Sequence, residues 1–284
     1  MPAVFKTGIP LLDHYLGGGL PRGTASIYGA TDVGATSLSL AIAREAAIEG
    51  ATTAFISLKG GTSPQYIKAH CGDSCAYSRP RFGEEALEQA ATLVESGVSV
   101  IILDPLDGLV PLADMGDMIG TRDPSDQYRL VYLGLQTLRD LAMKCNALVV
   151  TTSEVRTLLP THKLVPTYRN AVWDSANSLI NLKQISYTSE YGTVLFKHCC
   201  ATLEKCLLAP PMAEFNFKLW DKKGVDRATE LMQALMSLEM ITTRGPYCSF
   251  NGELLGMGFA KTRDVIHQRY DEFYEALMEN AWKR

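Results

Sequence analysis

The chain has no apolar run approaching the roughly 18 residues that a membrane-spanning helix needs, so a helical membrane protein is excluded. Its opening, MPAVFKTGIPLLDHYLGGG, holds one lysine, a short apolar stretch and an early glycine cluster. It lacks the make-up of a secretory signal, and the cytoplasm is the expected compartment. The seven cysteines, at 71, 75, 145, 199, 200, 206 and 248, show no paired spacing. An odd number without a signal fits reduced thiols, most of them buried. Neither His70-Cys71-Cys75 nor His198-Cys199-Cys200-Cys206 has the two-residue spacing of a zinc knuckle, so no metal site is expected there. Cys199 and Cys200 are expected on opposite faces of one strand. There is no internal repeat, low-complexity stretch or long linker. Positive charge is in deficit, with 27 Lys and Arg against 31 Asp and Glu for a net −4. That excludes a surface basic all over, although a local basic patch remains open.

What the 284 residues do contain is apolar runs of strand length alternating with helical periods. This predicts an α/β fold, with a mostly parallel central sheet covered by helices. Strands are predicted over residues 25–28, 53–58, 98–103, 148–152, 178–182, 193–198 and 214–219. Helices are predicted over 37–49, 84–96 and 128–144. The pattern changes after Trp220: a helix over 225–238, a turn-rich hairpin over 244–258 and a charged helix over 261–278. Residues 1–222 therefore form the core domain and 223–284 a small α+β C-terminal lobe. The lobe is too short for a core of its own and is expected to dock on the main sheet.

The first strand runs into Gly29-Ala30-Thr31-Asp32-Val33-Gly34-Ala35-Thr36-Ser37 and then a helix. The spacing is that of the Walker A loop, G-x-x-x-x-G-K-[ST], whose backbone N–H groups wrap phosphates at a helix N-terminus. Gly29, Gly34, Thr36 and Ser37 are in register, but Ala35 stands where the lysine belongs. Removing one member of a buried charge pair costs about 2–5 kcal/mol, and Asp32 adds a carboxylate to a loop built for anions. The loop reads as vestigial, with ATP and Mg²⁺ bound weakly at best. The alternative is a substitute cation, for which Lys59 at the end of the next strand is the candidate. A second apolar strand ends in Asp104, the position from which such proteins hold Mg²⁺.

With these motifs the chain resembles the RecA family of recombinases, in its bacterial and phage form, almost end to end. TGIPLLDHYLGGGLPRG is similar to the family's opening segment, and RFGEEALEQAATLVESGVSVIILDPLDGLVP to its central helix and acidic strand. AEFNFKLWDKKGV and FNGELLGMGF resemble the last core strand and the C-terminal hairpin. The resemblance implies a RecA-like core and assigns Gly29, Gly34 and Thr36 to the phosphate loop and Asp104 to magnesium. It puts the family's water-activating glutamate at Lys59 and its nucleotide-sensing glutamine at Glu154. Of two lysines that members extend to a neighbour's phosphates, one matches Lys205 and the other is Leu203. Ala35, Lys59 and Glu154 are three changed chemical positions, which together imply lost hydrolysis and no catalytic residue. The family's N-terminal helix and strand, which dock on the adjacent subunit, have no counterpart before Thr7, so family-style filaments are not implied.

Residues 155–173 carry Arg156, His162, Lys163 and Arg169, no acidic residue, and Tyr168 and Trp173 among them. Cations for phosphates and aromatic faces for bases are what single-stranded DNA requires. A solvated basic loop is the alternative that composition alone leaves open. The resemblance makes this segment the family's second DNA-binding loop. The first would span 115–127, where Asp117, Asp123 and Asp126 outnumber Arg122, and a weak contribution is expected. The implied function is a DNA-binding or accessory protein of recombination or repair. Its partners would be single-stranded DNA and either itself or an active RecA-like paralogue. The rivals are a DNA-dependent ATPase with a substitute lysine from Lys59 or a neighbour's Lys205, and an assembly subunit that touches neither DNA nor nucleotide.

Overall fold

The computed structural model describes residues 4–73, 75–115, 123–158, 163–191, 193–221 and 223–281. Strands β1 (Val4–Phe5) and β2 (Leu20–Pro21) pair antiparallel and flank helix α1 (Pro10–Tyr15). Alternation follows: β3 (Gly23–Gly29), α2 (Ala35–Ile48), β4 (Thr53–Ser57), α3 (Pro64–Cys71), β5 (Cys75–Ser78), α4 (Gly83–Glu95) and β6 (Val100–Asp104). Next come α5 (Pro124–Cys145), β7 (Leu148–Leu158), β8 (Lys163–Pro166), α6 (Arg169–Ser175) and β9 (Ser178–Glu190). The large sheet closes with β10 (Thr193–Cys206), β11 (Ala213–Trp220) and β12 (Gly224–Val225).

The strand order is β12-β11-β10-β9-β3-β7-β6-β4-β5, with β8 paired to β7 outside that path. From β9 to β5 all neighbours run parallel, and β10, β11 and β12 add on antiparallel. Parallel strands buried on both faces need apolar side chains at successive positions, which is why they read as continuous hydrophobic runs. Val100 and Ile102 join the core under α2, while Ile101 and Leu103 join the core under α4, α5 and α6. The same division separates Leu148 and Val150 from Val149.

Several strands outrun their sequence signals. The 148–152 strand continues to Leu158 and turns back through β8, pairing Arg156 with Val165 and Leu158 with Lys163. The 178–182 and 193–198 strands lengthen into a two-stranded arm paired out to Glu190 and Thr193. Ile185 and Tyr187 on this arm are each 60% exposed, so no amphipathic alternation marked it.

The C-terminal residues correct the expectation of a part without its own core. Helix α7 (Arg227–Ser237) precedes the antiparallel strands β13 (Ile241–Arg244), β14 (Tyr247–Phe250) and β15 (Glu253–Met257), and helices α8 (Phe259–Gln268) and α9 (Tyr270–Ala281) follow. The expected hairpin is thus a three-stranded sheet, and the expected single helix is two, divided at Arg269. Leu231, Leu235, Phe250, Ile266, Phe273 and Leu277 form a separate buried cluster. It is joined to the rest through α1, where Leu11 packs on it and His14 Nδ1 lies 2.7 Å from the Leu277 carbonyl, and to the large sheet, where the Lys218 N–H of β11 donates to Glu230 Oε1 of α7 at 3.1 Å. An ion pair between Arg227 and Glu45, 2.8 Å apart, ties α7 to α2. Strand β12 still belongs to the large sheet.

Candidate functional site: a phosphate loop with exchanged charges

Strand β3 ends at Gly29 and α2 begins at Ala35, with Gly34 as its N-cap in a left-handed conformation. Both glycines are required by contact. A Cβ on Gly29 would lie 2.6 Å from the Leu182 carbonyl oxygen. One on Gly34, where φ is +105°, would lie 2.1 Å from Leu219 Cδ1. No side chain caps α2, so its first N–H groups are open to a ligand. A cavity of about 640 Å³ opens there, lined by the loop, Lys59, Asp104, Ser153, Glu154, Lys197 and Trp220. It lies beyond the carboxyl ends of β3, β4, β6 and the apolar part of β7, where open α/β sheets bind ligands.

Asp104 is 4% exposed and sits among hydroxyls. The Thr36 hydroxyl donates to both carboxylate oxygens at 3.0 and 3.1 Å, and Thr62 donates at 3.4 Å. Thr152 also donates to Oδ1. Burial pushes the Asp104 carboxyl up, and these hydroxyls pull it partly back. Thr36 and Asp104 bring hard oxygen donors together beside the loop, a set that suits Mg²⁺ arriving with phosphates, whose charge it would neutralise. Ser37 Oγ lies 2.9 Å from Tyr66 Oη.

Lys59 and Glu154 meet across the cavity, with Nζ 3.1 Å from Oε1. The backbone N–H of Glu154 donates to Asp107 Oδ2 at 3.0 Å, fixing the chain there. The charge of Lys59 is thus directed to Glu154. A different lysine reaches the loop: Lys197 Nζ donates to the Asp32 backbone carbonyl. Two residues further along β10, the Cys199 thiol donates to the Val33 carbonyl at 3.5 Å. Sequence reasoning missed Lys197, although period-two counting back from the buried Cys199 puts it on the loop-facing side.

Lys205 lies at the far end of β10, paired with Leu179, and donates to the Trp173 carbonyl at 2.6 Å. Burial lowers its ammonium from the usual lysine range. It does not line the phosphate cavity of its own chain.

The acid-free segment divides into a hairpin and a helix. Arg156 is exposed on the β7–β8 hairpin, as are Leu158 and Leu164. His162 lies outside the described residues, as does the side chain of Lys163. Arg169 and Trp173 are exposed on α6, four residues apart and therefore on one helical face. Tyr168 overturns its expectation. It is 6% exposed and packs in the core with Ala171, Val172 and Leu179, so its ring is not free to stack on a base. Of the acidic segment, residues 116–122 lie outside the described set, including Asp117 and Arg122. Asp123 caps α5, accepting from the Ser125 N–H at 2.8 Å, which lowers its carboxyl below the usual range.

A parallel α/β sheet with a glycine loop at a helix N-terminus and an acidic strand beside it defines the core of a P-loop NTPase. Within that class, the family described as the RecA N-terminal domain matches residues 3–226. Protein RecA of Fusobacterium nucleatum subsp. nucleatum is 31% identical over 268 residues, which cover 90% of this chain and 70% of that protein. Protein RecA of Blastochloris viridis is 30% identical over 288 residues, covering 97% and 82%. The chain belongs to the RecA family. No helix among the described residues is long and apolar enough to cross a membrane.

Proposed function

We propose that this chain is a RecA-family accessory protein of DNA recombination or repair that binds single-stranded DNA and does not hydrolyse ATP. The observation that carries the second half is the Lys59–Glu154 ion pair. It occupies the two positions that the family resemblance assigns to water activation and nucleotide sensing, while Ala35 removes the phosphate clamp. An ammonium cannot accept a proton from water, so Lys59 cannot act as the water-activating base. For DNA, support comes from Arg156 exposed on a hairpin whose paired residues, 155–158 and 163–166, include no acidic residue. Arg169 and Trp173, exposed together on α6, supply a cation and an aromatic face.

A second reading, self-association or assembly with an active paralogue, is favoured by the β9–β10 arm and its exposed Ile185 and Tyr187. Anisotropy of a labelled single-stranded oligonucleotide at low salt separates the two. Saturable binding weakened by Arg156→Ala supports the DNA reading. No binding at low salt leaves the assembly reading.

A further inference from the structure

Two lysines line the phosphate cavity among the described residues, and they are placed differently. Lys59 is committed to a carboxylate. Lys197 is in no ion pair among the described residues, and its Nζ holds only the backbone oxygen of Asp32, a residue inside the glycine loop. An ammonium has three donors, so a single carbonyl leaves two unspent. The strand that carries it is registered against the loop by the Cys199–Val33 contact, and β11 packs beside it, with Leu219 opposite Lys197 and its methyl against Gly34. The position of Lys197 is therefore set by the sheet, while its four-carbon stem lets the charge swing from the carbonyl into the cavity.

The cavity also holds unused donors. Ser153 is 5% exposed, lines the cavity, and its buried hydroxyl has no partner. Trp220, also on the lining, has a buried indole N–H in the same condition. Buried donors without partners are costly and call for a ligand or water that accepts from them. Open helix N–H groups, an unpaired lysine and unsatisfied donors around one cavity describe a site for an oligoanion.

We propose that Lys197, entering from strand β10, replaces in cis the lysine that Ala35 lacks, so that the loop binds the phosphate tail of a nucleoside triphosphate. This rests on the non-hydrolysing reading above only in expecting the bound triphosphate to stay intact. The lysine has moved from the helix behind the phosphates to the strand beside them, which restores charge without restoring the original clamp.

The test is calorimetric titration of the full chain with ATP plus Mg²⁺, with tripolyphosphate, and with adenosine. Lys197→Ala is expected to weaken ATP and tripolyphosphate by about tenfold or more, the scale of a charge-assisted contact, and to leave adenosine unchanged. Adding Ala35→Lys to Lys197→Ala should recover the lost affinity, which a merely structural role for Lys197 would not allow. If Lys197→Ala does not fold by circular dichroism, Lys197→Gln is read by the same criteria. Equal ATP affinity in parent and variant overturns the proposal. So does an equal loss for adenosine, or a parent that binds neither ATP nor tripolyphosphate at millimolar concentration. Steady phosphate release by the parent would contradict the non-hydrolysing reading alone and leave the assignment of Lys197 standing.

Discussion

Lys59 Nζ lies 3.1 Å from Glu154 Oε1, joining the ends of β4 and the apolar part of β7 across the phosphate cavity. Both side chains are nearly half exposed, at 43% and 46%. A pair of this kind contributes about 0–1 kcal/mol to stability, so its significance is chemical. By the family resemblance each residue is a changed position, and each neutralises the other. On the same resemblance, the change at Lys59 alone would leave a lone cation there and the change at Glu154 alone a second carboxylate, whereas together the two charges cancel.

If charge alone weakens nucleotide binding, Ala35→Lys combined with Asp32→Ser should raise ATP affinity by about tenfold or more. It should not restore turnover, because Lys59 and Glu154 remain paired. Calorimetry with ATP and a phosphate-release assay on the same variant check both halves. Unchanged affinity would mean that the shape of the loop, not its charge, is at fault.

Binding of single-stranded DNA should be local and salt-sensitive in a protein of net charge −4. Counterion release gives a log–log slope of roughly −0.7 per neutralised phosphate, so contacts from Arg156, Lys163 and Arg169 predict a slope near −2. Replacing all three with Ala should flatten the slope, measured by anisotropy between low and moderate salt. Tyr168→Ala should act on the fold instead. Its ring is buried, so the expected cost is about 3 kcal/mol of stability, read as a lower urea midpoint with an unchanged salt slope.

Asp13 gives stability a pH dependence. Its carboxyl is buried, accepts from the Thr7 N–H and hydroxyl, each at 2.8 Å, and is pushed up to about 8, chiefly by burial. The unfolded chain releases this proton near the ordinary value of 3.8, while the folded chain keeps it. The contribution is therefore complete below about 4 and is lost as pH rises towards about 8. Its slope is at most about 1.4 kcal/mol per pH unit. Asp13→Asn keeps acceptors for Thr7 and removes the titration. The urea midpoint of the parent should fall from pH 5 to pH 8 by more than that of the variant, and equal slopes would remove Asp13 as the cause.

The parallel core was legible because burial on both faces writes itself as unbroken apolar runs, such as VIILD at β6. The glycine loop was legible because contact leaves no room for a Cβ at Gly29 or Gly34. The β9–β10 arm was not, because it faces solvent and its pairing is carried by backbone hydrogen bonds that leave no periodicity. Tyr168 was misread because its neighbours are cations. Yet Tyr168, Ala171, Val172 and Ser175 recur at helical spacing, and all four are buried. Lys197 was not legible from the loop motif, because the sheet brings it from a strand more than 160 residues downstream of Asp32.

The most direct measurement is steady-state phosphate release from ATP with Mg²⁺, with and without single-stranded DNA. Release at background in both conditions is predicted, because Ala35 supplies no cation to the loop and, by the family resemblance, Lys59 stands where water would be activated. Steady release that DNA stimulates and Asp104→Ala abolishes would contradict the prediction and make this chain an active DNA-dependent ATPase.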